Sequence, residues 1–181
     1  MDIFLIGPRG CGKTTVGRAL ALRLGQDFVD LDDLVLGEFA ETSIRDVFAK
    51  QGEAAWREAE ERVLMNALGE GEQRVIALGG GTPMIPGARR FIEDAQLRMQ
   101  VRVVYLQCSV EELAKRLGRD AGDRPSLSGQ PVEEEVGEIL VAREPVYVGL
   151  ADFVVNADAP SAEGMAEQLE AWLSSAGEAG D

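Results

Sequence analysis

Five short apolar runs divide the chain, and each is rich in β-branched or aromatic residues. The stretches between them carry apolar residues at three- and four-residue steps, which is the spacing of one helix face. Strands that alternate with amphipathic helices are typical of a parallel sheet covered by helices on both faces. We therefore predict a three-layer αβα protein with a five-stranded parallel sheet, whose strands are Ile3–Ile6, Phe28–Val29, Val75–Leu78, Val101–Leu106 and Phe153–Val155.

The same periodicity, together with capping residues, predicts where several helices begin and end. A glycine after the last apolar position is typical of a helix C-cap, and a serine three residues before a glutamate is typical of a capping box. The predicted helices are Lys13–Leu24, closed by Gly25; Glu53–Leu68; one opened by the pair Ser109 and Glu112; and one introduced by Pro160–Ser161 and ending near Trp172.

Two segments lack this periodicity. Residues 118–131, GRDAGDRPSLSGQP, combine three glycines and two prolines with several charges and offer no apolar face. A connection of this length is typical of active-site lids, so we predict a mobile lid over about residues 117–131. The last residues, SSAGEAGD, are expected to fray, with residues 176–181 as a disordered tail.

Length and composition narrow the class of protein. A chain of 181 residues that is 45% hydrophobic suits one core, so residues 1–175 are predicted to form a single domain. The formal net charge of −14 offers no basic footprint, and we expect neither nucleic acid nor a membrane as a partner. The absence of histidine from the sequence excludes histidine metal sites and histidine general bases.

The N-terminal sequence and the two cysteines indicate the cellular compartment in which the protein is expected. The run MDIFLIGPRG has neither a basic n-region nor a small-residue cleavage site, so we predict a buried strand and not a signal peptide. The apolar runs are all far shorter than the roughly 20 residues that span a bilayer. Cys11 and Cys108 fit neither a metal knuckle nor a disulfide scaffold. We therefore expect a soluble cytoplasmic protein, acting as a monomer.

Residues 7–14, GPRGCGKT, match the phosphate-loop pattern G-x-x-x-x-G-K-[ST]. An apolar strand precedes the motif and an amphipathic helix follows it, which is the context that the pattern requires. Glycines let the backbone N–H groups point inward, and the helix N-terminus adds partial positive charge. The motif predicts that Lys13 reaches the β- and γ-phosphates of a nucleotide and that Thr14 coordinates Mg²⁺.

A carboxylate beside this loop is the second expected part of a magnesium site. Only the strand at Phe28–Val29 runs directly into acidic residues, so Asp30 is the predicted metal-side carboxylate, acting through a bound water. Because strand side chains alternate, Asp30 and Asp32 are expected to project to the same side. Asp32 would then accept a hydrogen bond from a substrate hydroxyl. A solvated turn with Asp32 or Asp33 as a helix N-cap is the open alternative.

Six motifs occur together in this order: GPRGCGKTT, FVDLD, WREAE, IALGGGT, DRPSLSG and AREPVY. In order and in spacing they resemble the shikimate kinase family, from residue 3 to about residue 155. The resemblance implies a P-loop kinase fold with a small helical substrate-binding insert at about residues 32–60. It also implies transfer of the γ-phosphate of ATP to the 3-hydroxyl of shikimate, with Mg²⁺, in aromatic amino acid (chorismate) biosynthesis.

The motifs and the resemblance together assign roles to individual residues. Arg57 and Arg143 are similar to the two arginines that clamp the substrate carboxylate, a group whose plane matches a guanidinium fork. Arg124 is similar to the lid arginine that neutralises charge on the transferring phosphate. The expected residues are Lys13, Asp32 and Arg124 for catalysis; Gly10, Cys11, Gly12, Lys13, Thr14, Thr15, Arg116 and Arg124 for ATP; Asp32, Arg57, Gly79, Gly80, Gly81 and Arg143 for shikimate; and Thr14 and, through water, Asp30 for Mg²⁺.

Several of these residues also fit simpler interpretations. Arg57 stands three residues before Glu60 and four before Glu61, so it could form surface pairs on its helix. Arg143 could cap a helix end or pair with Glu138, and Arg124 could face acids of its own loop. The lid sequence R-P-S-L also departs from the R-P-L-L that is common in the family.

Two other functions remain open from the sequence. Another small-molecule kinase of similar fold, such as a gluconate or nucleotide kinase, also needs a phosphate loop and carboxylates. A catalytically inactive nucleotide-binding regulator would keep the loop alone. The D-L-D pair with the glycine triplet favours shikimate over gluconate, and the presence of Lys13, Asp32, Arg57 and Arg124 favours an enzyme.

Overall fold

A computed structural model describes residues 1–67, 73–119, 132–158 and 161–178. Its centre is a sheet of five parallel strands in the order β2-β3-β1-β4-β5, which confirms the predicted fold class. The strands are β1 (Asp2–Ile6), β2 (Asp27–Asp30), β3 (Arg74–Ala77), β4 (Val101–Gln107) and β5 (Phe153–Asn156). The helices are α1 (Lys13–Leu24), α2 (Leu31–Leu36), α3 (Ile44–Ala67), α4 (Pro86–Leu97), α5 (Val110–Arg119), α6 (Val132–Leu150) and α7 (Ala162–Glu178), with a short 3-10 turn at Thr82–Met84.

Alternation along β1 divides the core between the two faces of the sheet. All five residues of this central strand are buried. Ile3 and Leu5 pack with α1 and α7 on one face, while Phe4 and Ile6 pack with α3 and α4 on the other. A strand buried on both faces reads as a continuous apolar run, which is why the sequence pattern identified it.

The helix that follows the phosphate loop has the predicted bounds. α1 begins at Lys13 and ends at Leu24, and Gly25 adopts a left-handed conformation with φ 63°. The N–H of Gly25 donates to the carbonyl groups of Ala21 and Leu22, which satisfies orphan acceptors of the last turn. The predicted C-cap is therefore confirmed.

The long helix α3 begins nine residues before the predicted start at Glu53. Gly52 breaks it, with φ 86° and ψ 162°, so a separate helical segment precedes the amphipathic stretch that periodicity identified. Leu68, the predicted last residue, lies outside the described residues. This first segment and most of α2 lie within residues 32–60, and the substrate-binding insert predicted there stays a prediction.

Two other predicted helix ends differ from the structure. Ser109 Oγ accepts a hydrogen bond from the N–H of Glu112, but the Glu112 carboxylate binds Lys115 and Arg116, so only half of the predicted capping box forms. The last helix, α7, continues to Glu178 and does not end near Trp172. Residues 176–178, predicted to lie in a disordered tail, are therefore helical, and residues 179–181 lie outside the described residues.

Within the described ranges, the helices are all too short or too polar to cross a lipid bilayer.

Candidate active site

A cavity of about 450 Å³ opens at the carboxyl ends of β1, β2 and β3. Because all strands of the sheet are parallel, the loops that follow them meet at this edge. The cavity unites the phosphate loop, the aspartates after β2 and the glycine loop after β3. Its lining includes nine of the predicted site residues, namely Gly10, Gly12, Lys13, Thr14, Thr15, Asp30, Asp32, Gly80 and Arg116.

The phosphate loop wraps tightly around the ammonium group of Lys13. Nζ of Lys13 donates to the carbonyl oxygens of Gly7 at 2.9 Å and Pro8 at 3.0 Å. Gly12, which precedes α1, has φ 100°, a conformation that L side chains rarely adopt. A Cβ on Gly7 would lie 2.7 Å from the carbonyl oxygen of Leu106, so the loop also packs directly on β4. The motif is thus built as an anion cradle at a helix N-terminus.

The side chains of Cys11 and Arg116 support the phosphate loop in different ways, Cys11 from the buried core and Arg116 from the wall of the cavity. The Cys11 side chain is fully buried in the core cluster beneath α1, so the predicted part of Cys11 in ATP binding falls to its backbone N–H group. Arg116 on α5 donates to the carbonyl oxygens of Gly10 and Cys11 at 3.4 and 3.3 Å and to that of Ala157 at 2.8 Å. One guanidinium group therefore ties the loop to α5 and to the end of β5.

The two aspartates reach the cavity by a different route from the predicted one. β2 ends at Asp30, and Asp32 already belongs to the first turn of α2, so strand alternation does not place them on one side. Asp30 is the N-cap of α2, and its Oδ1 accepts a hydrogen bond from the N–H of Asp32 at 3.1 Å. The alternative prediction of an aspartate N-cap in this turn is therefore right, but the capping residue is Asp30 and not Asp32 or Asp33. Both carboxylates still line the cavity.

Asp30 also contacts the predicted metal-side threonine. The hydroxyl of Thr14 donates to Oδ2 of Asp30 at 2.8 Å, which brings a hydroxyl and a carboxylate together beside the phosphate loop. In the described parts of the chain, no three histidine, cysteine, aspartate or glutamate side chains form a metal-binding group. Mg²⁺ requires no such cage, since it commonly binds one or two protein oxygens together with waters and phosphates.

Arg57 is held by two glutamates on its own helix. Its guanidinium group donates to Glu53 Oε1 at 2.7 Å and forms an ion pair with Glu60, so the partner four residues away is Glu53 and not Glu61. Glu60 is fully buried and also accepts a hydrogen bond from the hydroxyl of Thr82 at 2.7 Å. Burial opposes the charge of Arg57, but both carboxylates outweigh it and raise the pKa of the guanidinium group.

For Glu60, burial affects the pKa more than the pairing with Arg57 does. It raises the pKa of Glu60 above its ordinary value, although the Arg57 guanidinium and the Thr82 hydroxyl lower it in part. Arg57 is therefore a preorganised cation, fixed in place by a carboxylate that the fold has removed from water.

Neighbouring side chains leave no room for a Cβ atom at Gly79 or Gly81 of the glycine triplet after β3. Gly81 has φ −93°, which any residue adopts, but an added Cβ would overlap Nη1 of Arg57. A Cβ on Gly79 would lie 2.5 Å from Glu60 Oε1 and 2.7 Å from Asp32 Oδ1. The absent side chains thus leave room for the protein's own Arg57, Glu60 and Asp32, while close approach of a ligand to this backbone stays a prediction.

Arg143 reaches the same loop from α6. Its Nη1 lies 3.3 Å from the carbonyl oxygen of Gly80, and the alternative pairing with Glu138 is not what the structure shows for this group. The hydroxyl of Tyr147, one turn further along α6, donates to the same oxygen at 2.6 Å. The loop is therefore flanked by Arg57 on α3 and by Arg143 on α6.

Thr82 and Tyr147 had no role in the sequence interpretation, and Glu60 was considered only as a surface partner of Arg57. All three stand inside motifs that carried the resemblance, but the hydrogen bonds of Thr82 and Tyr147 to distant groups were not visible there. Arg124 and most of the predicted lid lie outside the described residues.

Comparison with known proteins identifies the family to which this site belongs. The family model described as "Shikimate kinase" matches residues 9–174. The chain belongs to the shikimate kinase family.

Shikimate kinases of two bacteria show how much of the chain the likeness covers. "Shikimate kinase 2" of Pectobacterium carotovorum subsp. carotovorum is 40% identical over 163 residues, which cover 88% of this chain and 90% of that protein. "Shikimate kinase" of Nitratidesulfovibrio vulgaris is 41% identical over 162 residues, covering 88% of this chain and 89% of that protein. The shikimate kinase resemblance predicted from the motifs is confirmed.

A solved structure of a shikimate kinase shares the fold. "Shikimate kinase from Acinetobacter baumannii in complex with shikimate" superposes with a TM-score of 0.85 at 32% identity. The match covers 96% of this chain and 93% of that chain. The P-loop kinase architecture therefore extends over nearly all of the molecule.

Proposed function

We propose that the protein is a shikimate kinase that transfers the γ-phosphate of ATP to the 3-hydroxyl of shikimate. Family membership supports the reaction. One observation about the site carries its assignment to particular residues: a single cavity is lined by the phosphate loop, by Asp32 and by Gly80. A donor and an acceptor can therefore meet there without a second protein chain.

The donor half consists of the phosphate loop and α1. Backbone N–H groups of residues 10–15 and the N-terminus of α1 would bind the phosphates of ATP, and the Lys13 ammonium would contact the β- and γ-phosphates. Arg116 lines the same cavity and would contribute to nucleotide binding at its outer end. Charge that develops on the transferring phosphoryl group is stabilised by such preorganised donors.

Thr14 and Asp30 would hold Mg²⁺, the aspartate through a water molecule. Their paired hydroxyl and carboxylate oxygens are hard donors of the kind that this ion prefers. When bound, Mg²⁺ would neutralise phosphate charge.

The acceptor half consists of Asp32, the glycine loop and two arginines. Asp32 would accept a hydrogen bond from the 3-hydroxyl and take up its proton as the new oxygen–phosphorus bond forms and the bond to ADP breaks. Arg57 and Arg143, which both lie next to the loop 79–81, would bind the shikimate carboxylate. Arg124 remains a proposed lid residue on the strength of the motif resemblance alone.

Asp32→Asn tests this assignment directly. General-base positioning typically contributes about 10²- to 10⁴-fold, so we expect a loss of kcat in that range with the affinity for ATP within about twofold of wild type. Asp33→Asn is the matched control, since Asp33 is the exposed neighbour outside the cavity lining, and it should retain normal turnover. Coupled ATP-consumption assays and nucleotide titrations measure both quantities.

Near-normal turnover of Asp32→Asn would contradict the proposed role of Asp32. The substrate is tested separately with a panel of hydroxy acids, including shikimate and gluconate, and nucleoside monophosphates. Turnover of another acceptor in the absence of turnover of shikimate would contradict the proposed reaction.

We also propose that the protein acts as a monomer in the cytoplasm. The monomer is supported by a cavity to which one chain contributes the phosphate loop, Asp32 and Gly80. The location is supported by Cys11 and Cys108, which are both free thiols buried in the core.

A further inference from the structure

The carbonyl group of Gly80 is held by two side chains of α6. The hydroxyl of Tyr147 donates to this oxygen at 2.6 Å, and Arg143 Nη1 lies 3.3 Å away. Tyr147 is fully buried, and its ring stacks on Tyr105 with centroids 5.2 Å apart. The shorter of the two hydrogen bonds therefore comes from a side chain that packing keeps in one position.

The hydrogen bond from Tyr147 to the Gly80 carbonyl oxygen also fixes the direction of the next N–H group, because both belong to one peptide group. The peptide group between Gly80 and Gly81 is planar and trans, so its N–H points opposite to its carbonyl oxygen. Because Tyr147 holds the oxygen on the side of α6, the N–H of Gly81 points away from α6. Glycines have no side chain to restrain such a peptide, and without an external anchor the plane could rotate.

We propose that Tyr147 is a positioning residue, whose hydroxyl fixes the peptide group between Gly80 and Gly81 in the orientation that recognises the acceptor carboxylate or hydroxyl. This inference rests on the proposed function, because it assumes that the loop 79–81 contacts shikimate. Tyr147 acts through the backbone and does not itself touch the substrate.

The neighbouring tyrosine shows what separates this role from simple packing. Tyr105 shares the aromatic stack, but its hydroxyl bonds to Glu144 Oε1 at 3.3 Å and not to the glycine loop. A phenylalanine at either position would keep the stack. The hydroxyl of Tyr147 also stays a donor over the whole working pH range, since burial raises the pKa of Tyr147 to about 12.

Tyr147→Phe and its matched control Tyr105→Phe test the inference. We expect Tyr147→Phe to raise the KM for shikimate about five- to tenfold, which corresponds to the loss of one hydrogen bond. The KM for ATP should stay within twofold of wild type, because the donor half of the cavity is untouched. Tyr105→Phe should leave both KM values within twofold, and thermal unfolding of both variants is measured alongside.

Two outcomes would overturn the role of Tyr147. One is a KM for shikimate in Tyr147→Phe that matches that of Tyr105→Phe. The other is an equal rise in both KM values of Tyr147→Phe with a lowered Tm, as expected for a purely structural tyrosine. Failure of the proposed function is recognised separately, because Asp32→Asn would then retain near-normal turnover. If only the role of Tyr147 is wrong, Asp32→Asn still shows the expected large loss of kcat.

Discussion

Two glutamates flank the guanidinium group of Arg57, and one of them is buried. Glu53 is about half exposed, while Glu60 is enclosed by α3 and the 3-10 turn that begins at Thr82. An arginine held in this way loses little conformational freedom when it binds a carboxylate, because its rotamer is already selected. The price is a carboxylate kept away from water, and that cost depends on pH.

Glu60→Gln should change how stability depends on pH. Burial raises the pKa of Glu60, so above the ordinary glutamate pKa of 4.5 the unfolded chain loses its proton before the folded chain does. The folded wild type is therefore progressively penalised as pH rises through the raised pKa, and the penalty then becomes constant. We expect the unfolding free energy of wild type, minus that of Glu60→Gln, to fall as pH increases from about 4.5.

Urea denaturation at a series of pH values measures this difference. Glu58→Gln, on the exposed side of the same helix, is the matched control and should follow wild type. A difference between wild type and Glu60→Gln that stays constant with pH would show that ionisation of Glu60 is not linked to folding.

Gly81→Ala should displace Arg57 without touching the phosphate loop. The added Cβ would overlap Nη1 and lie 2.6 Å from Cζ of Arg57, so the guanidinium group must move away from its glutamate partners. Losing a charge-assisted hydrogen bond costs about 1.5–3 kcal/mol, which corresponds to a roughly ten- to hundredfold higher KM for shikimate. Steady-state kinetics at saturating ATP measure the change.

Gly149→Ala is the control for adding a methyl group to a glycine. A Cβ at Gly149 in α6 meets no atom within 4 Å, so the KM values should not change. An unchanged KM for shikimate in Gly81→Ala would mean that Arg57 either relaxes freely or does not bind the acceptor.

For single residues, the sequence predicts which charged side chains belong to the site better than it predicts their hydrogen-bond and ion-pair partners. The motif identifies Arg57 and the helical spacing predicts a pair with Glu60, but the sequence interpretation did not predict Glu53, four residues toward the N-terminus, as a partner. Tyr147 and Thr82 bond to groups that lie 67 and 22 residues away in sequence. Contacts over such distances depend on the three-dimensional packing of α6, α3 and the loop, which no local pattern encodes.

At the scale of elements, α5 acts as a brace for the phosphate loop. Arg116 extends from α5 to two loop carbonyl groups and to Ala157 beyond β5. Lys13 donates to the loop carbonyl groups of Gly7 and Pro8, but those of Gly10 and Cys11 need donors from elsewhere. Arg116 supplies donors for both of them.

Arg116→Ala should therefore weaken nucleotide binding more than acceptor binding. Loss of this brace should raise the KM for ATP about tenfold, an effect of about 1.4 kcal/mol, and leave the KM for shikimate within about twofold. Lys115→Ala is the matched control, since Lys115 bonds to the same Glu112 but does not reach the loop. If the two variants have equal KM values for ATP, the brace contributes nothing to binding.

Helix boundaries were harder to predict than strands. The acidic stretch after β2 was interpreted as a strand end, yet Asp30 caps a six-residue helix. A short helix offers too few turns for periodicity to be visible, and an extended Asp-Leu-Asp looks the same as a cap followed by a first turn. The start of α3 was overlooked because Gly52 interrupts the periodic pattern.

At the scale of the whole molecule, the parallel sheet was predictable because burial on both faces leaves continuous apolar runs. The phosphate-loop motif then located the active edge, since it must follow a strand and precede a helix. The strand order was not predictable in the same way. β1 lies between β3 and β4, and this arrangement depends on how helices pack over each face.

The backbone of Gly80 packs directly against the backbone of the phosphate loop. A Cβ there would lie 3.2 Å from the backbone nitrogen of Arg9 and 3.3 Å from the carbonyl oxygen of Gly7. In the proposed complex, the distance between ATP and shikimate is thus set by these backbone atoms, which side-chain substitutions elsewhere leave in place. If Arg57 and Arg143 bind the acceptor as proposed, substitutions there can change over evolutionary time which acid is bound, while the distance that the phosphoryl group travels stays the same.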